Sequence, residues 1–147
     1  MSQKDKLLAV VAADIAADLN TYGQLQSLLD ELHERLLARD TLAIEQLNQR
    51  IEPCLNALAE CSARRGKVLR AFGLTADPEG MQRLLDAYPA TQGETVRSQW
   101  QQLGQAVRDC RQRNERNGRL LAMHNDILNQ LLSGTGDGTA LYGQQDY

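Results

Sequence analysis

The chain has 147 residues, with 16 basic and 19 acidic side chains and a net charge of −3. This length suits one domain with its own core, and the near balance of charge excludes a whole-chain field that would draw the protein to DNA or to anionic lipid. One Phe and one Trp are few for an enzyme pocket. Three cysteines do not make a disulfide framework, which is typical of a protein of the reducing cytoplasm.

The first segment is predicted to be one long helix from Lys4 to Ala38, because apolar residues recur there every three or four positions. The residues with this spacing are Leu8, Val11, Ile15, Leu19, Tyr22, Leu25, Leu29, Leu32 and Leu36. The stretch Leu7 to Ala13 imitates the apolar part of a secretory signal, but Asp14 limits it to seven residues, the lower limit for such a segment. We therefore expect an uncleaved helix that breaks at Arg39 or Asp40. No apolar run approaches the ~18 residues of a membrane span.

A second long helix is predicted from Ile44 to Phe72, where the apolar seam advances by three and four without a slip. Its members are Ile44, Leu47, Ile51, Cys54, Leu58, Cys61, Arg65, Val68 and Phe72. Pro53 lies inside this segment and lacks the donor for the Gln49 carbonyl, so we expect a kink there and not an end. Gly73 is the expected C-cap.

Two further helices follow in the sequence. Asp77 as N-cap and Pro78 at the first helical position predict a short helix up to Ala87, ended by Tyr88-Pro89. The motif Thr-x-x-Glu from Thr91 to Glu94 matches a capping box and is expected to start a third long helix, which extends to Leu132. Its seam consists of Val96, Trp100, Leu103, Val107, Cys110, Asn114, Asn117, Leu121, His124, Leu128 and Leu131.

These elements predict an all-α fold. No segment alternates with period two, as a half-buried strand does. Three long amphipathic helices and one short connecting helix, joined by short links, predict an antiparallel helical bundle for residues 1–132. Residues 133–147 contain four glycines among Asp, Thr and Ser, and they are expected to form a flexible tail.

Residues that carry chemistry are sparse. A di-iron bundle needs Glu-x-x-His on two helices; His33 has Asp30 three positions before it, but His124 has Leu121. The Gly-rich stretch of the tail follows a helix and has no lysine after it, unlike a phosphate-binding loop. No serine or cysteine nucleophile has an identifiable base. We therefore predict no catalytic residue, no metal site, no cofactor and no enzymatic activity.

The third long helix carries an arginine-rich stretch between residues 97 and 119. It contains six arginines against Asp109 and Glu115, and these arginines are Arg97, Arg108, Arg111, Arg113, Arg116 and Arg119. A solvated face is one interpretation, and docking of an acidic partner is the other. Nucleic acid is disfavoured because no aromatic residues interleave with the arginines.

The same helix changes character at Asn114 and Asn117. Both occupy seam positions, where a paired Asn can fix the register and an unsatisfied one costs about 1–3 kcal/mol. Beyond Arg119, apolar residues spread over about half of the circumference, whereas a helix that packs only on its own bundle needs about 100°. These residues are Leu120, Leu121, Met123, Ile127, Leu128, Leu131 and Leu132. The surplus predicts either an open surface for a partner's amphipathic helix or deeper burial against the first helix.

The tail contains large side chains at Leu141, Tyr142 and Tyr147. Ordering a residue costs about 1–2 kcal/mol of backbone entropy, and burying a Leu or an aromatic side chain returns about 1.5–3 kcal/mol. The tail is therefore either a weak, short-lived docking peptide or a frayed terminus.

Two parts of the chain resemble the flagellar export chaperones of the FlgN family. One is the stretch from Arg113 to Leu132, with Asn-x-x-Asn before a leucine-rich segment, and the other is the Gly-rich tail with Leu-Tyr-Gly. The leucine-rich first helix, the second helix and the length match as well, so the resemblance covers essentially the whole chain. It implies a cytoplasmic helical protein without enzymatic activity. Such a protein binds the C-terminal amphipathic segments of hook-associated (hook-filament junction) proteins, keeps them unassembled and delivers them to the flagellar type III export gate.

The residue pattern and the resemblance together indicate where partners bind: the resemblance implies a client site at Leu120 to Leu132 and a gate-docking site at Tyr142, and the pattern adds the seam asparagines and Leu141. For the export substrate, the expected residues are Asn114, Asn117, Leu120, Leu121, Ile127, Leu128, Leu131 and Leu132. For the cytosolic domain of the export-gate membrane protein, they are Leu141 and Tyr142. Nucleic-acid binding and direct membrane insertion are not expected. The alternative function is a self-assembling coiled-coil scaffold, in which the wide apolar arc closes a homodimer.

Overall fold

The computed structural model describes residues 2–134, and every regular element within them is an α-helix. The helices are α1 (Gln3–Ala38), α2 (Thr41–Ala71), α3 (Pro78–Leu85) and α4 (Ala90–Gly134). This confirms the predicted all-α class with three long helices and one short connecting helix. Helix α4 continues two residues past the predicted start of the tail, and residues 135–147 lie outside the described part of the chain.

Side-chain caps fix both ends of α1. The Ser2 hydroxyl accepts the Asp5 N–H at 3.1 Å, and the Asp5 carboxylate accepts the Ser2 N–H at 3.3 Å, which makes a capping box. At the other end Arg39 adopts a left-handed conformation with φ 54°. Asp40 then caps α2 by accepting the Ala43 N–H at 3.2 Å. Arg39 and Asp40 alone therefore reverse the chain and make α1 and α2 an antiparallel hairpin.

Helix α2 passes through Pro53 without ending, as predicted, because a proline removes only one hydrogen bond of the ladder. The helix ends at Ala71, with Phe72 as C-cap. Gly73 follows with φ 71°, a left-handed conformation that glycine adopts without a steric penalty.

A tight turn leads into α3. The Asp77 carboxylate accepts the Gly80 N–H at 2.8 Å and the Thr75 hydroxyl at 2.7 Å, and these hydrogen bonds, led by that from Gly80, lower the pKa of Asp77. A Cβ atom at position 80 would lie 1.8 Å from the Thr75 carbonyl oxygen. Only glycine therefore fits at this point of the turn.

Helix α4 begins at Ala90 and not at the predicted Thr91 cap. The carbonyl of Pro89 accepts the Gly93 N–H at 2.6 Å, which is the first helical hydrogen bond. Because Pro89 supplies this acceptor, Thr91 lies inside the first turn and is not the N-cap of the helix.

Helix α1 is central, since α2 and α4 both pack along it. Helix α2 runs antiparallel to α1, and α4 runs parallel to it. The Tyr88 hydroxyl, just before α4, donates to the Leu8 carbonyl at 2.6 Å, and farther along the Asn117 amide donates to the Leu29 carbonyl at 2.9 Å. Over their full described lengths, α2 and α4 have no pair of Cα atoms within 8 Å. A groove over α1 therefore separates the two outer helices, and α3 contacts both of them at one end.

The core consists of two apolar clusters that follow one another along α1. The cluster near α3 contains Leu8, Val11, Ile15, Val68, Leu69, Met81, Leu84, Leu85, Tyr88, Val96 and Leu103. The cluster near the α1–α2 turn contains Leu25, Leu28, Leu29, Leu32, Leu36, Leu47, Ile51, Cys54, Cys110 and Leu120. Each such side chain contributes about 1.5–3 kcal/mol on full burial, so these clusters hold α2 and α4 on α1.

Two charged pairs join α1 to α2. Asp18 is 3% exposed and accepts a hydrogen bond from Arg65 at 3.2 Å, and the Arg65 guanidinium lies 5.1 Å from the centre of the Trp100 ring. Asp14 accepts two hydrogen bonds from Arg64, at 2.6 and 2.9 Å. Charge-assisted hydrogen bonds of this kind fix the relative position of the two helices.

Candidate partner-binding surface

The C-terminal part of α4 projects beyond the α1–α2 hairpin. Cys110 hydrogen-bonds Tyr22 and Asn117 hydrogen-bonds Leu29, in each case 88 positions apart. In this register the end of α1 is level with Asp126. Residues 127–134 therefore extend about 12 Å past the hairpin.

The position of His124 agrees with this register. Burial, and after it the positive charge of Arg39, lowers the pKa of His124. His124 thus lies near the end of α1, and the residues of α4 beyond it pass the α1–α2 turn.

Apolar side chains are exposed on this part of α4. Leu131 is 63% exposed, Met123 is 52% exposed and Ile127 is 36% exposed. These positions follow each other by four residues and so lie on one face of the helix. We call Met123, Ile127 and Leu131 the projecting face.

Some predicted partner-binding residues lie in or against the core instead. Asn117 and Leu120 are 2% and 8% exposed, because both face α1, so they stabilise the bundle and are not accessible to a partner. Leu121 packs, partly buried, against the second core cluster, and Leu132 is half-buried. The side chain of Leu128 lies outside the described part of the chain, as do the predicted gate-docking residues Leu141 and Tyr142.

The two seam asparagines have different surroundings. The Asn117 amide group donates to the Leu29 carbonyl at 2.9 Å, and its oxygen lies 3.1 Å from Nδ1 of His33. A buried amide paired in this way fixes the register of α4 on α1. Asn114 is half-buried and lines the groove between α2 and α4.

This α2/α4 groove is a concave surface that includes Asn114 of the predicted site. One part encloses about 420 Å³ and the adjoining part about 450 Å³, and the two are continuous because Tyr22, Val107 and Arg111 line both. Leu55 of α2 lines the first part and is 51% exposed. The floor consists of Leu25, Leu29 and Leu32 of α1.

The groove is open because α4 turns only one row of its seam toward α1. The row that is buried against α1, with a spacing of seven, consists of Val96, Leu103, Cys110 and Asn117. The row that is only half-buried and lines the groove, with the same spacing, consists of Trp100, Val107 and Asn114. In a closed bundle this second row packs against the backbone of a neighbouring helix. Here no Cα atom of α2 lies within 8 Å of the described part of α4, and the Arg65 side chain reaches across to Trp100.

The α4 edge of the groove is cationic. Arg108 and Arg111 line it and are exposed, and within residues 2–134 neither has an acidic group at ion-pair distance. The Arg108 guanidinium donates a hydrogen bond to the neighbouring Gln105 at 3.0 Å. Arg65 also lines the groove, but Asp18 neutralises it.

Other members of the arginine-rich stretch have structural partners. Arg113 and Arg116 both pair with Asp30 of α1 at 3.1 Å, and Arg97 pairs with Asp86. Arg97, Arg113 and Arg116 therefore attach α4 to its surroundings, whereas Arg108 and Arg111 line the groove.

All three thiols of the bundle are buried. Burial raises the pKa of Cys61 and of Cys110 to about 11. Within residues 2–134, His, Cys, Asp and Glu side chains form no group that could hold a metal ion. In the same part of the chain no helix has an apolar stretch that could cross a membrane.

The fold and this surface define a helical binding protein, in which long helices leave an open groove and a projecting apolar end. A family model described as FlgN protein matches residues 1–144. The chain therefore belongs to the FlgN family, which is a family of flagellar export chaperones and not of enzymes.

A solved structure supports the same assignment. The crystal structure of a flagella synthesis protein FlgN from Pseudomonas aeruginosa matches with a TM-score of 0.69 and 28% sequence identity, over 89% of this chain and 99% of that one. No curated protein matches the chain significantly.

Proposed function

We propose that this protein is a cytoplasmic type III export chaperone that binds the C-terminal amphipathic segments of hook-associated proteins, keeps them unassembled and delivers them to the export gate. Membership of the FlgN family supports the chaperone role. The observation that supports the client site is the projecting face, whose Met123, Ile127 and Leu131 are exposed beyond the bundle.

The projecting face suits a transient contact. Full burial of one such side chain contributes about 1.5–3 kcal/mol, so covering three that are already partly buried contributes about 3–4 kcal/mol in total. Association costs at least about 4 kcal/mol in lost translational and rotational freedom, so this face alone does not hold the client stably. The projecting face therefore serves as one anchor of the client, and a tighter complex needs further surface.

A pair of matched substitutions tests this site. Ile127 and Val10 are 36% and 37% exposed, at opposite ends of the bundle. Ile127→Asp is expected to weaken binding of a purified hook-associated C-terminal segment about tenfold, which is about 1.4 kcal/mol, whereas Val10→Asp is expected to leave it unchanged. Isothermal titration calorimetry measures both, and an equal loss in the two variants would contradict the assignment.

Delivery to the export gate is proposed to use Leu141 and Tyr142 of the tail. Tyr142→Ala is expected to weaken binding to the cytosolic domain of the export-gate membrane protein and to leave client binding intact. Tyr147→Ala, five residues farther along, is the control. Loss of client and gate binding together in Tyr142→Ala would refute a separate docking role.

Sedimentation of the pure protein separates this proposal from a self-assembling scaffold. A monomer that takes up the client segment agrees with the chaperone. A stable homodimer that covers Leu121 and Leu128 would favour the scaffold. The packing of Leu121 against the core of its own bundle supports the monomer.

A further inference from the structure

We propose that the α2/α4 groove holds the amphipathic helix of the client, and that this helix carries acidic residues beside its apolar stripe. The inference rests on the proposed chaperone function and specifies the chemistry of the segment that is bound. Three features of the groove support it: its dimensions, its apolar lining and the charge of one edge.

The groove has the length of a short helix. From Trp100 to Asn114 on α4, and from Asn48 to Ser62 on α2, the walls run for about four helical turns, or about 21 Å. Packed helices lie about 8–10 Å apart. A helix of about 14 residues matches this length, and seated over α1 between α2 and α4 it would complete a four-helix bundle.

Apolar side chains line that position on every side. Trp100 and Val107 face it from α4, Leu55 and Leu58 from α2, and Tyr22 from α1. All five are exposed or half-buried, so an apolar stripe can cover them without rearrangement of the core. Large aromatic side chains such as Trp and Tyr are the usual anchors of a protein interface.

The charge of the edges favours an acidic client. Arg108 and Arg111, three positions apart on α4, lie on the same side of that helix and lack acidic partners in the described residues. The opposite edge presents the uncharged Asn48 and Ser62 of α2. Acidic residues on the side of the client helix that faces α4 would pair with both arginines, and this asymmetry fixes how the helix is rotated in the groove.

Trp100 provides a local probe of occupancy because it is the only tryptophan of the chain. It lies about 35–46 Å along α4 from the projecting face, so binding at that face alone leaves its surroundings unchanged. Titration of the full chain with a tryptophan-free hook-associated C-terminal segment is expected to shift the Trp100 emission to the blue. The shift is expected to saturate together with the heat measured by calorimetry.

Charge reversal tests the acidic partner. Arg111→Glu is expected to weaken binding about tenfold, and replacing the acidic residues of the segment by lysine is expected to restore it in that variant. Arg119→Glu is the matched control, since Arg119 is exposed on the same helix and does not line the groove. Circular dichroism verifies that both variants are folded.

The other outcomes contradict the inference in distinguishable ways. In one outcome, calorimetry detects binding without a shift of the Trp100 emission, and Ile127→Asp weakens this binding whereas Arg111→Glu does not. This result would place the client on the projecting face alone and leave the proposed function standing. Absence of both heat and shift would refute the proposed function itself. A homodimer that Leu55→Asp dissociates would identify a second copy as the occupant. A Trp100 red shift caused by Leu141→Ser without any client would identify the tail of the same chain.

Discussion

Replacing Asp18 by Asn is expected to lower the free energy of unfolding by about 3 kcal/mol, although the two side chains have nearly the same size. The Asp18 side chain is 4% exposed and that of its partner Arg65 is 14% exposed. Removing one member of a buried ion pair costs about 3–5 kcal/mol, since the other charge remains in a site shielded from water. The contact of Arg65 with Trp100, of about 0.5–2 kcal/mol, is retained, which places the expected loss at the lower end.

Urea unfolding followed by circular dichroism at 222 nm measures this loss, and Asp30→Asn is the matched control. Asp30 also pairs with arginines between two helices, but its side chain is 52% exposed. Exposed ion pairs contribute about 0–1 kcal/mol, so we expect a correspondingly small change. In a chain of this size a loss of 3 kcal/mol lowers the Tm by about 6–12 °C.

Equal destabilisation by Asp18→Asn and Asp30→Asn would refute the argument from burial. A second variant, Asp18→Leu with Arg65→Met, removes both charges and is expected to recover most of the stability, as apolar replacement of a buried pair often does. If this double variant were as unstable as Asp18→Asn, the loss would come from packing around Arg65 and not from an uncompensated charge.

Three further outcomes are expected. Asn117→Ala should lower the free energy of unfolding in urea by about 1–3 kcal/mol, because it leaves buried polar partners unpaired, whereas Asn114→Ala in the groove wall should change it by less than about 1 kcal/mol. Burial raises the pKa of Tyr88 to about 12 from an ordinary value of 10.0. The stability that this shift contributes is present below pH 10 and should be lost as the pH rises toward 12. In denaturation measured as a function of pH, Tyr88→Phe should make this decline shallower. At pH 8, Cys61 and Cys110 should react with Ellman's reagent only as fast as the protein opens, because burial raises both pKa values to about 11; immediate labelling in the folded state would contradict this.

The helices themselves were predictable from apolar periodicity and capping residues. The predicted first helix, Lys4 to Ala38, differs from α1 by one residue, and Asp77 with Pro78 marked the start of α3. The Thr91 cap was wrong because the carbonyl of Pro89 already accepts the first hydrogen bond. A capping motif predicts the start of a helix only when no earlier residue can supply the first hydrogen-bond acceptor.

The buried charges were harder to predict. Apolar spacing assigned Leu19 to the seam of the first helix, whereas the structure buries Asp18 to 3% exposure and leaves Leu19 half-buried. The spacing of apolar residues alone does not reveal that a charged residue is buried in the core. The available signal was Arg65, which occupies a seam position of the second helix and so requires an acidic partner across the interface.

The groove could not be predicted from the sequence, because short links indicate which helices follow each other but not which pair packs together. Both rows of the α4 seam have the same apolar spacing, and only the placement of α4 on α1 decides which row is buried. The extent of the projecting face likewise depends on the register, since α1 runs beside α4 only as far as Asp126. This is why Leu120 is in the core whereas Ile127 and Leu131 are exposed.

Because of this register, two rows of side chains on α4 have different roles: one stabilises the bundle, and the other is available for binding. The row that contains Leu103 and Cys110 is buried against α1, so its side chains hold the bundle together whether or not a client is bound. The row that contains Trp100 and Val107 faces the groove and can be covered and uncovered without disturbing the core. In the proposed complex the groove and the projecting face each offer limited area, so a client held by both would detach from one at a time. Such stepwise release would let an exporter remove the client without unfolding the chaperone.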